Sequence, residues 1–472
     1  MRVLFWFRKD LRLDDNTGLH AAARDADGDV VPFYASEPAI LGRDDLAPGR
    51  VRFVLDSLAD LAAALATRGA RLALDHGDAA ETVPRAARLA GADAVYWNEE
   101  YEPALIARDA AVERALEHAG VRVRRFDDRL LVPPGAVATG AGRPFLVFTP
   151  FRRACEAIPL AAPVPGVRRF GAHDLPARPI ATLERLGFAT HQRPWPGGTR
   201  AARARLAHFA REALAGYAVR RDFLAEPGTS QLSADLRFGT LSARTVAAAA
   251  LEAARANRGA RSGARKLIEE LRWRDFYAHV LYQFPHVERG AFQPRYDAIE
   301  WQGDPAHFDA WRAGRTGYPI VDAAMRELLE TGFIHNRARM ITASFLTKDL
   351  LLDWRLGERH FMRHLVDGDP ASNNGGWQWA ASTGTDAQPW FRIFNPVLQG
   401  ARFDPDGGYV KRWVPELARV PARWIHRPWQ APPAVLTEAG VRLGADYSRP
   451  LVDHAAQRVR ALAMYRKAAL TR

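Results

Sequence analysis

A change of period along the chain constrains its fold more than any other feature. Over the first 130 residues short apolar runs at 3–7, 30–35, 71–75, 94–98 and 121–126 read as strands, with helical patterns near 50–67, 79–90 and 103–119 between them. Near-continuous apolar strands separated by helices predict an α/β domain, a doubly wound parallel sheet covered on both faces. No GxGxxG follows residues 3–7, so the phosphate-binding argument for a dinucleotide fold fails there. Residues 131–200 change texture to PPGAVATGAGRP, PLAAPVPGV and RPWPGG, which predicts a long surface connector. After residue 200 the period is helical, over 201–216, 242–257, 264–282, 320–331, 336–354 and 357–366, and an all-α domain is expected over 201–472.

With 472 residues, 48% of them hydrophobic, the chain has enough apolar material for two or three cores, which excludes disordered and fibrous classes. Its net charge of +12 is unevenly placed: residues 1–130 hold 18 basic and 23 acidic side chains, leaving 48 and 31 for the remainder. A polyanionic partner is therefore expected to meet the later part. Only five of the 66 basic residues are Lys, and so much Arg beside so much Ala is also what codon bias produces, so Arg richness carries no weight. Cys155 is the sole cysteine, which excludes an internal disulfide and cysteine-based metal clusters. The start, MRVLFWFRKDLR, meets charge after five apolar residues, and no apolar run approaches the ~18 that span a bilayer, so a soluble, cytoplasmic protein is expected.

Several constellations could carry chemistry. Glu270, Trp273, Arg274 and Tyr277 fall at i, i+3, i+4 and i+7 and share one helical face, suited to a flat ligand with polar edges. A core Trp and Tyr beside an ordinary ion pair is the plain alternative. Asn336, Arg339 and Met340 repeat the geometry, whereas His335 lies on another face and no second His stands at ligand spacing, so no metal site is read. The segment DGDPASNNGGWQWAASTGTD, 367–386, combines acids, amides, glycines and two Trp; it is read as a binding loop, because such a mixture makes poor core. GTSQLSADL, 228–236, offers hydroxyls and successive backbone N–H groups to phosphate oxygens, though such runs are also turns and caps.

WRDFYAHVL, TGYPIVDAAMREL, HNRARMITASFLTKDLLLDWR and DGDPASNNGGWQWAASTGTDAQPWFRIFNPVLQG, with FWFRKDLRLDDN at the start, resemble the class I cyclobutane pyrimidine dimer photolyases of the photolyase/cryptochrome family. The resemblance runs from residue 3 to about 465. It implies an antenna-binding α/β domain, a long linker and a helical domain that binds FAD and damaged DNA. Tyr217, Thr229, Ser230, Gln231, Leu232 and Ser233 would hold the phosphate and ribitol portion, Gln231 standing where relatives often carry Arg. Arg339, Asp367, Gly368, Asp369 and Asn373 would surround the flavin, with Asn373 beside N5 and Arg339 paired with Asp367.

For the lesion, the resemblance implies Trp273 and Trp379 flanking the fused pyrimidines, with Glu270, Asn336 and Met340 at their edges and Arg221, Arg274, Arg337 and Gln399 on the DNA strand. A dimer pairs and stacks poorly, so flipping it out of the helix costs less than flipping a normal base. The implied reaction is light-driven and redox-neutral: excited FADH⁻ passes one electron to the dimer, the ring opens and the electron returns, with Glu270, Asn336 and Asn373 as catalytic side chains. Trp377, Trp354 and Trp301 match the family's chain for photoreducing oxidised flavin.

Three rivals are weighed. A cryptochrome usually carries Cys or Asp where Asn373 stands, and many bear a long signalling tail; a (6-4) photolyase needs His where Asn336 and Met340 stand; a flavoprotein oxidoreductase needs a nicotinamide or small-substrate site. The expected partner is UV-damaged DNA, single- or double-stranded, met by a monomer without an obligate protein partner or a membrane. For the antenna, the folate type's Asn-Glu pair falls on Ala104 and Leu105, its His on Asp44 and its Cys-Lys pair on Glu288 and Arg289, which disfavours folate. EPAILGRDDLAPGRV with YWNEEYEP looks more like the 8-hydroxy-5-deazaflavin group.

Overall fold

A computed structural model describes residues 1–470, so the final two residues of the expected helical domain lie outside the described part. Strands β1 (Val3–Phe7), β2 (Val30–Ser36), β3 (Ala73–His76), β4 (Ala94–Asn98) and β5 (Arg122–Phe126) form one all-parallel sheet in the order β3-β2-β1-β4-β5. Helices α1 (Thr17–Asp25), α2 (Pro48–Ala66), α3 (Ala79–Ala90) and α4 (Pro103–His118) connect them. Alternate strand side chains enter separate cores: Val3, Phe5 and Phe7 pack with Leu19, Leu58 and Leu61, while Leu4 and Trp6 pack with Val83, Val95 and Val112. Two details depart from the expectation. Helix α1 was not anticipated, and β5 is an edge strand with half-buried and exposed positions rather than a continuous buried run.

The connector is more than a surface tether. Its helix α5 (Phe148–Glu156) buries Phe148, Phe151 and Cys155 with Phe276, and further on Val167 and Gly171 donate backbone N–H bonds to Leu13 and Val30 of the α/β domain. The helical domain carries α6 (Thr199–Glu212), α7 (Ala243–Ala256), α8 (Arg261–Gln283), α9 (Pro319–Thr331), α10 (Asn336–Ser344), α11 (Trp354–His364), α12 (Pro370–Ala381), α13 (Pro396–Phe403) and α14 (His454–Leu470), among other short helices and turns. Among the described residues no helix is long and apolar enough to cross a membrane.

Two expectations fail here for local reasons. The helix expected over 336–354 ends at Ser344, because a π-helical turn at Phe345–Asp349 turns Lys348 inward to Ser382 Oγ (2.9 Å) and Asp349 to His454 Nδ1 (2.5 Å), and Leu351 takes φ +55°. The segment read as a binding loop is helix α12. Asp369, in extended conformation, accepts from Ser372 N at 2.9 Å and Pro370 opens the first turn, two start signals that outweigh the glycines and asparagines. Gly375 is required there: a Cβ would lie 2.1 Å from the Tyr277 ring of α8.

The domains meet across buried charge. Asp128 accepts from Arg12 (2.5 Å) and Arg244 (2.7 Å), and Arg244 also donates to Asp15 at 3.0 Å. Nearby, Arg237 bonds Glu102 of the α/β domain and Asp369 (2.9 Å), so the cap of α12 is tied to the other domain.

Candidate active site

Helices α8, α10 and α11 pack on α12, and between them and the 217–233 segment lies a cavity of about 600 Å³. The helical spacing delivers what it promised: Glu270, Trp273, Arg274 and Tyr277 all line it, and so do Asn336, Arg339 and Met340 on α10. Tyr217, Thr229, Ser230, Gln231, Leu232 and Ser233 form one end, and Asp367, Asp369, Asn373, Trp377 and Trp379 another wall, with Arg221 and Arg337 at the lining as well. Gly368 and Gln399 stand outside it.

Gly368 makes room for a neighbouring side chain. A Cβ there would fall 2.0 Å from Arg50 Nη2, and Arg50 donates to the carbonyls of Met362 (2.5 Å) and Leu365 (3.0 Å), satisfying the C-terminal end of α11 from the α/β domain. Arg274 is anchored inside the protein as well: its guanidinium donates to the main-chain carbonyls of Arg129 (2.7 Å) and Leu236 (3.0 Å), and burial with the Arg129 charge pushes its pKa down. Arg221 pairs with the Glu270 carboxylate, which Lys266 also approaches at 3.1 Å, so two cations hold Glu270 in place. Arg337 donates to Asp222 at 3.0 Å and lies 4.3 Å over the Phe403 ring. Gln399, on α13, keeps Oε1 buried without a partner.

At the other wall, Arg339 donates to Asp367 Oδ2 at 2.7 Å, while Asp367 Oδ1 is buried without a partner. Asp369 would be pushed up by burial, but Arg237 holds its carboxyl below the usual range. Asn373 gives Nδ2 to Glu358, to Oε1 at 2.8 Å and to the backbone O at 3.1 Å, so its carbonyl Oδ1 is the atom left to accept from a ligand. Asn336 Nδ2 reaches Met340 Sδ at 3.8 Å, a weak contact that leaves the amide available. Trp377 and Trp354 are buried in one apolar cluster and Trp301 packs half-buried on its edge, an inside-to-outside series starting at the cavity.

Sequence reasoning missed Arg237, Lys266, Ser372, Gly376 and Glu358. Gly376 had a signal in the NNGGW doublet, Ser372 lay within 367–386 and Lys266 stands one turn before Glu270; Arg237 and Glu358 reach the site only through tertiary packing. Burial pushes the Glu358 carboxyl up to about 7. A group held protonated in the fold and ionised in the unfolded chain adds stability below its unfolded pKa that is lost as pH rises through the folded one. Stability is therefore expected to fall between about pH 5 and 7 by at most about 1.4 kcal/mol per pH unit from this group, and Glu358→Gln to flatten that slope in denaturation midpoints measured across the range.

The cavity fits a flavin dinucleotide on its own evidence. Asp367 Oδ1 lacks a donor, a Cβ at Gly376 would meet nothing within 4 Å, and the hydroxyls of Thr229, Ser230 and Ser233 lack side-chain hydrogen bonds among the described residues. A parallel α/β domain bolted to a helical domain with an aromatic-walled, dinucleotide-sized cavity defines a two-domain cofactor-binding protein. The family described as FAD binding domain of DNA photolyase matches residues 267–467, and that described as DNA photolyase matches residues 3–168. The deoxyribodipyrimidine photo-lyase of Salmonella typhimurium is 44% identical over 98% of both chains. Among solved structures, a class III photolyase from Agrobacterium tumefaciens superposes with TM-score 0.92 at 41% identity, covering 100% of this chain and 98% of that one. A Synechocystis cryptochrome gives TM-score 0.90 at 29% identity, covering 98% and 99%. The chain belongs to the photolyase/cryptochrome family, and its helical part is a photolyase FAD-binding domain.

Proposed function

We propose that the protein repairs cyclobutane pyrimidine dimers in DNA under blue light, with FAD bound in the cavity. The observation that carries this reading is that two half-buried indoles, Trp273 and Trp379, wall the same cavity as Asn373, Asp367 and Asp369. Indole faces take over the stacking that a flipped-out dimer gives up. Glu270, held by Arg221 and Lys266, and Asn336 present an acceptor and an amide to the pyrimidine edges. Reduced flavin, when bound, supplies one electron under light and recovers it after the ring opens. The protein holds the cofactor through Arg339, Asp367, Asp369 and Asn373, with Tyr217 and Thr229 to Ser233 at the phosphate end, and Trp377, Trp354 and Trp301 as the route for its photoreduction.

The class I assignment rests on the motifs between residues 320 and 400, because overall likeness extends to a class III enzyme as well. Asn336 and Met340 offer no general acid near neutral pH, which favours the cyclobutane dimer over the (6-4) product as substrate. Asn373 favours repair over signalling. The same reading has the protein act as a monomer on single- or double-stranded DNA in a bacterial cytoplasm; its bacterial relatives support that setting. For the antenna we propose 8-hydroxy-5-deazaflavin rather than folate: the segment that suggests it follows β2, runs through the Pro38–Leu41 turn and enters α2, at the carboxyl edge of a parallel sheet, where such sheets take ligands.

The test reduces the flavin, adds dimer-containing DNA and illuminates. Loss of dimers only in the light is expected; unchanged dimers with reduced flavin bound would overturn the reading. The absorption spectrum of the same native preparation identifies the antenna, and a folate band in place of a deazaflavin band would overturn that assignment.

A further inference from the structure

The two indole walls stand on different helices, and something must fix the gap between them. Beneath the cavity the gap is fixed by Gly375 of α12, packed directly against the Tyr277 ring of α8. A second link runs outside α8 and α12 themselves. There the connector crosses: Phe148 stacks on Trp273 with ring centroids 3.7 Å apart and planes 11° from parallel. Phe148, the first residue of α5, is 5% exposed although Leu146 and Val147 before it are 44% and 45% exposed, so the connector turns inward at this ring as the helix begins. Its backbone N–H donates to Asp386 Oδ2 at 3.0 Å, and Thr385 Oγ1 donates to the Leu146 carbonyl at 2.5 Å. The segment after α12 then folds back, with Gln388 N donating to the Trp379 carbonyl at 3.2 Å. A continuous path therefore runs from Trp273 through Phe148 and Asp386 to Trp379.

We propose that residues 146–148 and Thr385–Asp386 form a strap that sets the separation and tilt of Trp273 and Trp379, making Phe148 and Asp386 positioning residues for lesion recognition. This rests on the reading of the two indoles as the dimer's walls. With one face of Trp273 covered by Phe148, a single face is left for a base, and its plane is set before the base arrives. A wall that is already ordered loses less side-chain freedom when ligand binds, so the strap acts on affinity for the dimer and not on attraction to DNA in general. Asp386 adopts φ +44°, which glycine and asparagine tolerate, so Asp386→Gly keeps the backbone and removes the acceptor while Asp386→Asn keeps both.

The test uses the flavin-loaded full chain and measures binding to a duplex with one thymine cyclobutane dimer and to the same duplex undamaged, for Phe148→Ala, Phe148→Tyr, Asp386→Gly, Asp386→Asn and Trp379→Ala. Phe148→Ala and Asp386→Gly are expected to bind the dimer roughly fivefold to twentyfold more weakly, with affinity for undamaged DNA and the flavin-to-protein ratio unchanged. Phe148→Tyr and Asp386→Asn are expected to restore dimer affinity. Wild-type dimer affinity in both Phe148→Ala and Asp386→Gly, beside a weakened Trp379→Ala, would overturn the strap and leave the proposed function standing. Undiminished affinity in Trp379→Ala would remove the indole walls and the strap with them. An equal loss on damaged and undamaged DNA would also overturn it. Should Phe148→Ala fail to fold, the contrast between Asp386→Gly and Asp386→Asn decides alone.

Discussion

Replacing Asp128 by alanine is expected to lower stability by about 3–5 kcal/mol, the cost of leaving buried charge without its partner. The side chain is fully buried and accepts from Arg12, Arg244 and the Thr17 backbone N–H (2.9 Å) and hydroxyl (2.9 Å). Burial alone would push its carboxyl up, but Arg12 and then Arg244 hold it far below the ordinary carboxylate range. A depressed acid contributes stability that is present above its unfolded pKa and lost as pH falls through the folded one. The wild-type protein should therefore lose stability steeply below about pH 4, and the alanine variant, already weakened at neutral pH, should lose less there. Denaturant midpoints measured at pH 7 and across the acid limb check both. A change under about 1 kcal/mol at pH 7 would mean that Arg12 and Arg244 find other partners. Because Arg244 opens α7 and also grips Asp15, the weakness should appear as early separation of the two domains.

Trp379→Ala should weaken binding to a dimer-containing duplex by about fivefold to 150-fold, since one stacked base is worth about 1–3 kcal/mol. Affinity for undamaged DNA and its salt dependence should stay at wild-type values, because phosphate contacts from cations carry that term and the indole carries none of it. Competition binding at two salt concentrations separates the two. Equal weakening on both DNAs would place Trp379 in general DNA contact and not in a lesion wall.

Much of the fold was legible in the sequence. Short apolar runs at helical intervals specified the parallel sheet, because a strand buried on both faces has no polar positions to hide. The spacing of Glu270, Trp273 and Tyr277 placed them on one face of α8, since 3.6 residues per turn is a local rule. The segment 367–386 lines the cavity, but its reading as a loop failed over 370–381 because residue content, amides and glycines, was weighed above the Asp-Pro start signal. Gly368 and Arg274 were assigned by motif position, and motif position does not show the contacts that each makes within the protein. Arg50 fills the space beside Gly368, and the Arg129 carbonyl accepts from Arg274.

Glu358 and Phe148 mark the boundary most clearly. Neither stands in a pattern: one reaches Asn373 across the packing of α11 on α12, the other reaches Trp273 from 125 residues earlier in the chain. By itself the sequence determined the two kinds of domain, the helical faces that carry the site and the family, all of which follow from local period and contiguous motif. Only the tertiary structure decided which of those residues meet, how Glu270 and Asn373 are held and what backs Trp273. Those are contacts between segments distant in the chain, and no local rule encodes the distance at which they close.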